Sequence, residues 1–539
     1  MSAFKPLATT GADLDPPEGW ALARLNLIGN VRLGKTPRRS HYKNEGIHRI
    51  VKFRDIKNWM VDYSESEAAY VVDSPQALKG LRCLQIGDVL LTASAHSGDQ
   101  IGRKCAYVDR LPDAGKEVFF VGELLGVSVN RSLAESKWPF FWFLSEDGFE
   151  AVQAAVAGVH LTSGRAQNIW ILLAPLAEQR RIVQKAEQLL ANVSGARERL
   201  SRVPAILKRF RQAVLAAAFS GRLTADWREQ AGTTESTNSF VKEILHEREA
   251  EWERGHYRPP ASFEEVELPD LPEDWCWHSF DTFVTDSFYG PRFAEDEYSD
   301  KGIPTIRTTD IDFDGSILLK DPPRIALSQE KVDKFGLLDG DLLVTRTGAT
   351  IGKCAIYDER IGPAIPGAYL IRFRLTRHSV PPRFLLLFLM SPQGQKLLLG
   401  RSTAVAQPNV NATSISRFPV PLPPRQEIDE IVRRVNALLK LADDIEIRVA
   451  AGSARAEKLT QAILAKAFRG ELVPTEAELA RREGRPYESA SDLLRRIREE
   501  RESKLADKTK LNASHKAGNI SQKTKPQEVR HARSQTAQR

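Results

Sequence analysis

The sequence predicts an α+β protein in which two α/β domains are separated by a long antiparallel pair of coiled-coil helices, with pseudo-two-fold symmetry. Three observations support this prediction. The stretch QAVLAAAFSGRL (Gln212 to Leu223) returns as QAILAKAFRGEL (Gln461 to Leu472). Apolar residues spaced alternately four and three apart lead into both copies. Two further regions, Trp20 to Pro175 and Trp275 to Pro421, contain short runs of Val, Ile, Phe and Thr punctuated by Gly and Pro, which is typical of strands.

The first α/β domain is predicted within residues 1–175, after an N-terminal arm. Between Arg24 and Lys57 it has ten Lys or Arg against Glu45 and Asp55. Such a cluster can neutralise phosphates while one or two arginines reach guanine edges, or it can be no more than a solvated basic face. The candidate nucleic-acid contacts in this domain are Lys35, Arg38, Arg39, Lys43, Lys52, Arg54 and Arg103.

The first helical region is predicted at residues 176–258. Its apolar positions keep a heptad spacing over several turns, which predicts a long helix packed in a coiled coil. These positions are Ile182, Ala186, Leu189, Val193, Ala196, Leu200, Val203, Leu207, Phe210 and Val214. Pro204 interrupts the pattern and predicts a kink or a short break. A second, charged helix follows in FVKEILHERE (Phe240 to Glu249).

The second α/β domain is predicted within residues 259–421, after a linker. Its GDLLVT motif (Gly340 to Thr345) corresponds to GDVLLT of the first domain. The segment that corresponds to the basic cluster of the first domain is acidic. Gln407 and Asn409 could read adenine through paired amide hydrogen bonds, or could satisfy loop backbone groups. The candidate contacts in this domain are Arg292, Arg307, Arg346, Lys353, Gln407 and Asn409.

The second helical region is predicted at residues 422–504, with the same spacing and an interruption at Gly452-Ser453. A charged helix follows at Asp492 to Glu502. The apolar seam of the two helices is expected to include Ile182, Leu189, Leu200, Phe210, Ile431, Leu438, Ile445 and Leu459. Residues 505–539 form a Lys- and Gln-rich tail that is expected to be disordered.

The charge distribution, the length of the apolar runs and the absence of certain motifs argue against several classes of protein. The formal charge of +7 equals that of residues 503–539, which have nine Lys or Arg against two acids, so overall charge says little about a nucleic-acid partner. No apolar run is long enough to span a membrane and no signal peptide is present, which predicts a cytoplasmic protein. The four cysteines form no CxxC pair, and no HExxH or NPP motif occurs. We therefore expect neither a metal site nor catalysis.

Several motifs, in an order that occurs twice, resemble the specificity subunit of type I restriction–modification enzymes. PLAEQRRIV (Pro175 to Val183) and PPRQEIDEIV (Pro423 to Val432) resemble its helix entrances, and AFSGRL and AFRGEL its helix exits. GDLLVTRTGATIGKCAI and QPNVN (Gln407 to Asn411) resemble motifs of its target-recognition domains. The first domain departs from this pattern, because TASAHSGDQIGRK replaces the usual loop and QPNVN is missing.

The resemblance implies a non-catalytic, DNA-binding subunit. Each target-recognition domain would read one half of a split site in double-stranded DNA, while the helices hold the domains apart and dock methyltransferase subunits, two of them by the duplication. Restriction or motor subunits would join through the complex. S-adenosylmethionine, ATP and Mg would be used by these partners, with no cofactor bound directly. The alternatives are a specificity subunit of another multi-subunit DNA-modifying defence system, and a scaffold that reads no DNA.

Overall fold

The computed structural model describes residues 16–65, 68–112, 117–231, 237–252, 256–263, 267–376, 378–400, 410–500 and 502. The chain forms two compact units. Unit 1 combines residues 1–198 with residues 453–539, and unit 2 is Arg199–Gly452. Both long helices cross from one unit to the other, so each unit contains one α/β domain, the first part of one long helix and the last part of the other. The segment boundaries drawn along the sequence stay predictions.

Unit 1 contains a two-stranded, a four-stranded and a six-stranded sheet. Its strands are Ala21–Arg24, Gly29–Leu33, Tyr42–Lys43, His48–Val51, Ile56–Lys57, Met60–Val61, Ala69–Val71, Val89–Thr92, Cys105–Tyr107, Val118–Phe120, Leu124–Val129 and Trp170–Leu173. Its shorter helices are Leu25–Ile28, Pro75–Leu78, Trp138–Leu144, Glu146–Ala155, Ser163–Ala166 and Glu476–Glu483, with 3₁₀ turns at Arg39–His41, Phe53–Asp55 and Gly98–Gln100. Residues 490–500 are also helical.

Unit 2 contains a two-stranded, a three-stranded and a four-stranded sheet. Its strands are Cys276–Ser279, Val284–Tyr289, Tyr298–Ile306, Arg324–Ile325, Leu342–Thr345, Cys354–Ile356, Ile365–Pro366, Leu370–Leu375 and Pro419–Leu422. Its shorter helices are Ala225–Ala231, Thr237–Ala250, Gln329–Phe335, Pro382–Met390, Pro392–Leu399 and Ala412–Ser416, with 3₁₀ turns at Arg222–Thr224, Phe280–Phe283, Glu295–Glu297, Gly348–Thr350 and Glu359–Ile361.

The two domains share one strand order. In unit 1, Leu124–Val129 lies between Gly29–Leu33 and Val89–Thr92, and Cys105–Tyr107 comes next. Unit 2 repeats this antiparallel order with Val284–Tyr289, Leu370–Leu375, Leu342–Thr345 and Cys354–Ile356. The GDVLLT and GDLLVT motifs therefore form equivalent buried strands, and the predicted α+β class with a repeated framework is confirmed.

The two long helices are Leu176–Phe219 and Arg425–Phe468. Within each unit they pack antiparallel, since residues farther along the first helix contact residues nearer the start of the second. In unit 2, Leu200 lies against Gly452, and Arg211 bonds Asp443 and Glu446 at 2.7 Å. In unit 1, Arg181 lies 2.7 Å from Glu476, just past the second helix, and Arg197 lies 2.9 Å from Glu457. Exposed ion pairs of this kind add little stability, so the buried apolar seam provides most of the free energy that holds the two helices together.

Both long helices are continuous, and the break allowed for at Pro204 or Gly452 does not occur. A proline inside a helix costs about 3 kcal/mol. Burying Leu207 and Val214 beyond it returns roughly 1.5–3 kcal/mol each, which is enough to continue the helix. Gly452 instead allows close packing, since a Cβ there would lie 3.3 Å from the Leu200 side chain.

The seam residues differ in burial. Ile182 and Ile431 are buried, and Leu189, Leu200, Phe210, Leu438 and Ile445 are half-buried. Leu459 is the exception. The sequence predicted that it lies in the seam, but it is 49% exposed, so this prediction is wrong. Thr460 is buried in its place, between buried Ala456 and Ile463. The spacing at this end of the helix is thus four then three rather than three then four, which turns Leu459 away from the seam.

In unit 1, a buried glutamate ties the domain to the start of the first long helix. Glu178 is the third residue of that helix and has no exposed surface. Its Oε1 accepts the indole N–H of Trp20 at 2.9 Å, and its Oε2 accepts the backbone N–H of Glu476 at 2.8 Å. Burial raises the pKa of Glu178. One carboxylate therefore joins the domain, one long helix and the segment that follows the other.

Unit 2 repeats this arrangement at Glu427, the third residue of the second long helix, which is also fully buried. Trp275 donates its indole N–H to Oε2 at 2.9 Å. Thr224, just past the end of the first long helix, donates its hydroxyl to Oε1 at 2.6 Å, and Arg228 bonds the same oxygen. The two carboxylates, which we call the helix-start glutamates, also lie where a helix favours negative charge.

The four cysteines of the chain are free thiols, and Cys105 and Cys354 are buried at equivalent strand positions. Within the described part of the chain, none of the helices combines the length and the apolar character that a bilayer crossing requires.

Replacing Trp20 with Phe tests the role of Glu178. The change leaves one buried carboxylate oxygen without its donor, which we expect to cost about 1–3 kcal/mol of unit 1 stability. Hydrogen exchange of the amides in residues 176–198 under increasing urea measures this loss. Trp142→Phe is the matched control, because that buried indole N–H has no partner among the described residues. Equal losses in the two variants would contradict the assigned role.

Candidate nucleic-acid interface

The basic segment of unit 1 places most of its cations on the surface. Lys35, Arg38, Arg39, Lys43 and Arg54 are exposed. Arg38, Arg39 and Lys43 form no side-chain hydrogen bond or ion pair with any other described residue. Lys35 donates to the backbone oxygen of Lys79 at 2.7 Å, and Arg54 lies 3.9 Å from Asp55. Arg38, Arg39 and Lys43 are therefore the cations best placed to meet an external anion.

Other cations of this segment are held by the fold. Lys52 is half-buried, and its ammonium lies 4.6 Å from the centre of the Tyr42 ring. Arg49 is buried and donates to the backbone oxygens of Tyr63 and Ser64, both at 2.9 Å. The segment is therefore a mixture of structural and surface cations, which a count of charges in the sequence cannot separate.

Arg103 belongs to the loop from Thr92 to Lys104, where the sequence departs from the second domain. Its guanidinium stacks 4.6 Å from the Phe149 ring centre, and its Nε donates to the backbone oxygen of Asp99 at 3.1 Å. The stack holds an exposed Arg103 against the domain surface.

The two loops share a backbone although their sequences differ. Each contains a 3₁₀ turn, Gly98–Gln100 in unit 1 and Gly348–Thr350 in unit 2. Left-handed glycines follow, Gly102 with φ 79° and Gly352 with φ 93°. The framework therefore extends into the loop that sequence comparison alone could not match.

The candidate residues of unit 2 have different surroundings. Arg307 is committed to the fold, because it forms a fork to Asp310 at 3.0 and 2.9 Å and donates to the backbone oxygen of Lys320. The hydrogen bonds to Asp310 raise the pKa of Arg307. Arg292 is exposed and forms no ion pair with the residues described. Gln407 and Asn409 lie outside the described residues.

Arg346 and Lys353 are half-buried and lie on aromatic rings. The Arg346 guanidinium is 4.7 Å from the centre of the Tyr289 ring, and the Lys353 ammonium is 5.2 Å from that of Phe313. Sequence reasoning did not select these aromatics, since aromatic residues in such segments are equally expected in strands. Tyr289 is 41% exposed and Phe313 61% exposed, so both rings reach the surface.

One group of side chains in unit 2 has the composition of a metal site. Ligand atoms of Glu247, Glu251 and His378 lie within 4.8 Å of one another. Glu247, however, accepts the backbone N–H groups of His378 and Ser379 at 2.6 and 2.9 Å. These bonds join the helix Thr237–Ala250 to a loop of the domain, which accounts for the group as a structural joint. The expectation of no metal site stays a prediction.

Comparison with known proteins gives consistent similarities. A family model described as the type I restriction modification DNA specificity domain matches residues 286–449. The EcoBI specificity subunit of Escherichia coli is 36% identical over 340 residues, which cover 62% of this chain and 65% of that protein. The EcoKI specificity subunit of Escherichia coli K12 is 28% identical over 468 residues, covering 85% of this chain and 90% of that protein. The match to the first relative thus falls just short of two thirds of its length.

A similar fold is found in a solved chain from work on the assembly and conformational transition of the type I R-M system. That chain is 20% identical, with a TM-score of 0.59, and the match covers 85% of this chain and all of the other. At this identity the likeness concerns the fold alone.

Proposed function

We propose that the chain belongs to the specificity subunits of type I restriction–modification enzymes and that it selects the DNA target of such an enzyme. In this proposal each unit reads one half of a bipartite site in double-stranded DNA. The long helices set the distance between the half-sites and dock methyltransferase subunits, two in number because the framework is repeated. Restriction subunits join through that complex.

The observation that supports this proposal most strongly is a repeated framework that presents different surfaces. Strand order and helix-start glutamates are the same in both units. The surface cations differ between the two units, since unit 1 has a basic segment where unit 2 has an acidic one. A repeated scaffold suits two equivalent partners, whereas different surfaces suit two different DNA sequences.

The chemistry of the complex is assigned to its other subunits. S-adenosylmethionine, ATP and Mg are used by the partners in this proposal, and this chain is non-catalytic. The buried carboxylates support that role, because both helix-start glutamates are occupied by indole and backbone or hydroxyl donors. They hold the fold and leave no carboxylate oxygen free for a substrate.

The long helices leave apolar surface for a partner. Ile206, Leu441 and Ile447 of unit 2 are each more than half exposed, and Leu459 of unit 1 is nearly so. Apolar side chains that form a contiguous exposed patch mark protein-binding surfaces. In this proposal the exposed apolar side chains of the helices contribute to such a patch for the methyltransferase.

Charge reversal at Arg38 and Arg39 tests DNA binding by unit 1. Replacing both with Glu removes two cations that can neutralise phosphates, so we expect weaker binding by the assembled complex and a salt slope smaller by about two. Fluorescence anisotropy at several salt concentrations measures both. Arg82→Glu with Arg110→Glu is the matched control, with the same change of net charge on exposed residues of the same domain. Loss of methyltransferase binding instead would show that the segment belongs to the protein interface.

The helices are tested as a spacer by inserting four residues into each, after Glu198 and after Gly452. These positions lie at the unit boundaries, so the contacts inside each unit are kept. Four residues add roughly 6 Å of helix, or about two base pairs. Methylome sequencing should therefore show both half-sites unchanged and the gap longer by about two base pairs. The same insertion after Gly484, outside the long helices, should change nothing. An altered half-site with an unchanged gap would contradict the proposal.

A further inference from the structure

Two equivalent backbone positions, Ala93 in unit 1 and Arg346 in unit 2, have different side chains. The backbone N–H of Ala93 donates to Glu123 O at 2.8 Å, and its carbonyl accepts from Leu161 N–H at 2.8 Å. In unit 2, the Arg346 N–H donates to Tyr369 O at 3.1 Å, and its carbonyl accepts from Val410 N–H at 3.0 Å. Each position directly follows the last residue of the GDVLLT or GDLLVT strand.

A second pair of equivalent positions, next to Ala93 and Arg346, also differs between the two units. Gly34 and Gly290 make the same hydrogen bond, to Leu124 O at 2.9 Å and to Leu370 O at 3.0 Å. The residue before this glycine is Leu33 in unit 1 and Tyr289 in unit 2. Unit 1 therefore has an aliphatic residue and a buried alanine where unit 2 has a tyrosine and an arginine. The same backbone therefore carries two apolar side chains in one domain and a tyrosine with a cationic side chain in the other.

Arg346 is held in place from several directions. Its backbone is bonded on both sides, and its guanidinium stacks on Tyr289. The Tyr289 hydroxyl accepts the backbone N–H of Ala412 at 3.0 Å, which fixes the ring in turn. The arginine therefore loses little conformational freedom when it binds a ligand, which favours affinity.

The guanidinium of Arg346 forms no ion pair within the described part of the chain, unlike those of nearby arginines. Arg372 bonds Asp286, and Arg374 lies 3.3 Å from Asp341. Arg346 has no carboxylate within 4.0 Å among the described residues, and its buried Nε has no hydrogen-bond partner there. Its positive charge is thus available for an anion outside the protein.

The charges of the two domains complement this difference. Unit 1 has the surface cations Arg38, Arg39 and Lys43 but an alanine at position 93. In the matching segment of unit 2, Arg307 is committed to Asp310, so few cations remain there. We propose that Arg346, positioned by Tyr289, binds a DNA backbone phosphate and takes over in unit 2 the role of the basic segment of unit 1. This inference rests on the proposed function and assigns Arg346 to the phosphate rather than to a base.

The test compares Arg346→Ala, Arg346→Met and Arg346→Lys in the full chain assembled with its methyltransferase. Anisotropy on a duplex with the wild-type target, at several salt concentrations, gives affinity and salt slope, and methylome sequencing gives the motif. We expect Ala and Met to lower affinity roughly 10- to 100-fold and the slope by about one, with the motif unchanged. Lys keeps the charge and should keep most of both. Met retains the contact with the Tyr289 ring, so it separates the loss of charge from the loss of packing.

Arg360→Ala is the control, because this arginine of unit 2 is 87% exposed and paired with Asp358. It should leave affinity, slope and motif as in the wild type. Two results would overturn the inference: wild-type affinity in both uncharged variants, or a motif that loses one guanine in the second half-site in both of them, since an arginine that contacts a base edge carries sequence information. A wild-type complex without a bipartite motif would instead overturn the proposed function, so the two failures are distinguishable.

Discussion

In the first turn of each long helix, a fully buried glutamate accepts the indole N–H of a tryptophan that lies just before the first strand of the adjoining domain. The second carboxylate oxygen is occupied from the segment that follows the other long helix. A buried carboxylate is costly unless it is fully hydrogen-bonded, so this geometry strongly constrains the chain. The orientation of each domain on its helix start, and of the antiparallel helix end beside it, depends on this one group in each unit.

A framework held in this way can change its surface residues without changing its backbone. The hydrogen bonds at Ala93 and Arg346 are the same, yet one side chain is buried and the other stacks on an aromatic ring. The loops beside them keep the same 3₁₀ turn despite different lengths and sequences. The two domains therefore differ in the side chains at the end of this strand and in the loop beside it, and this is the surface that we assign to DNA.

The sequence predicted the repeated parts of the fold well, because heptad spacing and strand-like runs depend on local periodicity. The two motifs that resemble helix entrances contain Glu178 and Glu427, but the bonds of these glutamates to Trp20 and Trp275 could not be predicted, since nothing local relates residues so far apart. Of the kink or short break predicted at Pro204, the break does not occur, because packing beyond the proline outweighs its local cost, and Leu459 is exposed because the spacing shifts near the helix end. Charge alone could not show that Arg307 is committed to Asp310 while Arg346 is not.

The central claim is that one domain with one long helix forms a complete half of the molecule. In residues 1–258, Glu178 lacks the donor from Glu476, but a second copy could supply Thr224 and Arg228, the partners that Glu427 has in unit 2. The experiment is to express residues 1–258 with the methyltransferase, size the complex by light scattering and map its methylated sites. We expect a dimer that methylates an interrupted palindrome made of the first half-site in both orientations. A monomer, or a dimer with an asymmetric target, would contradict it.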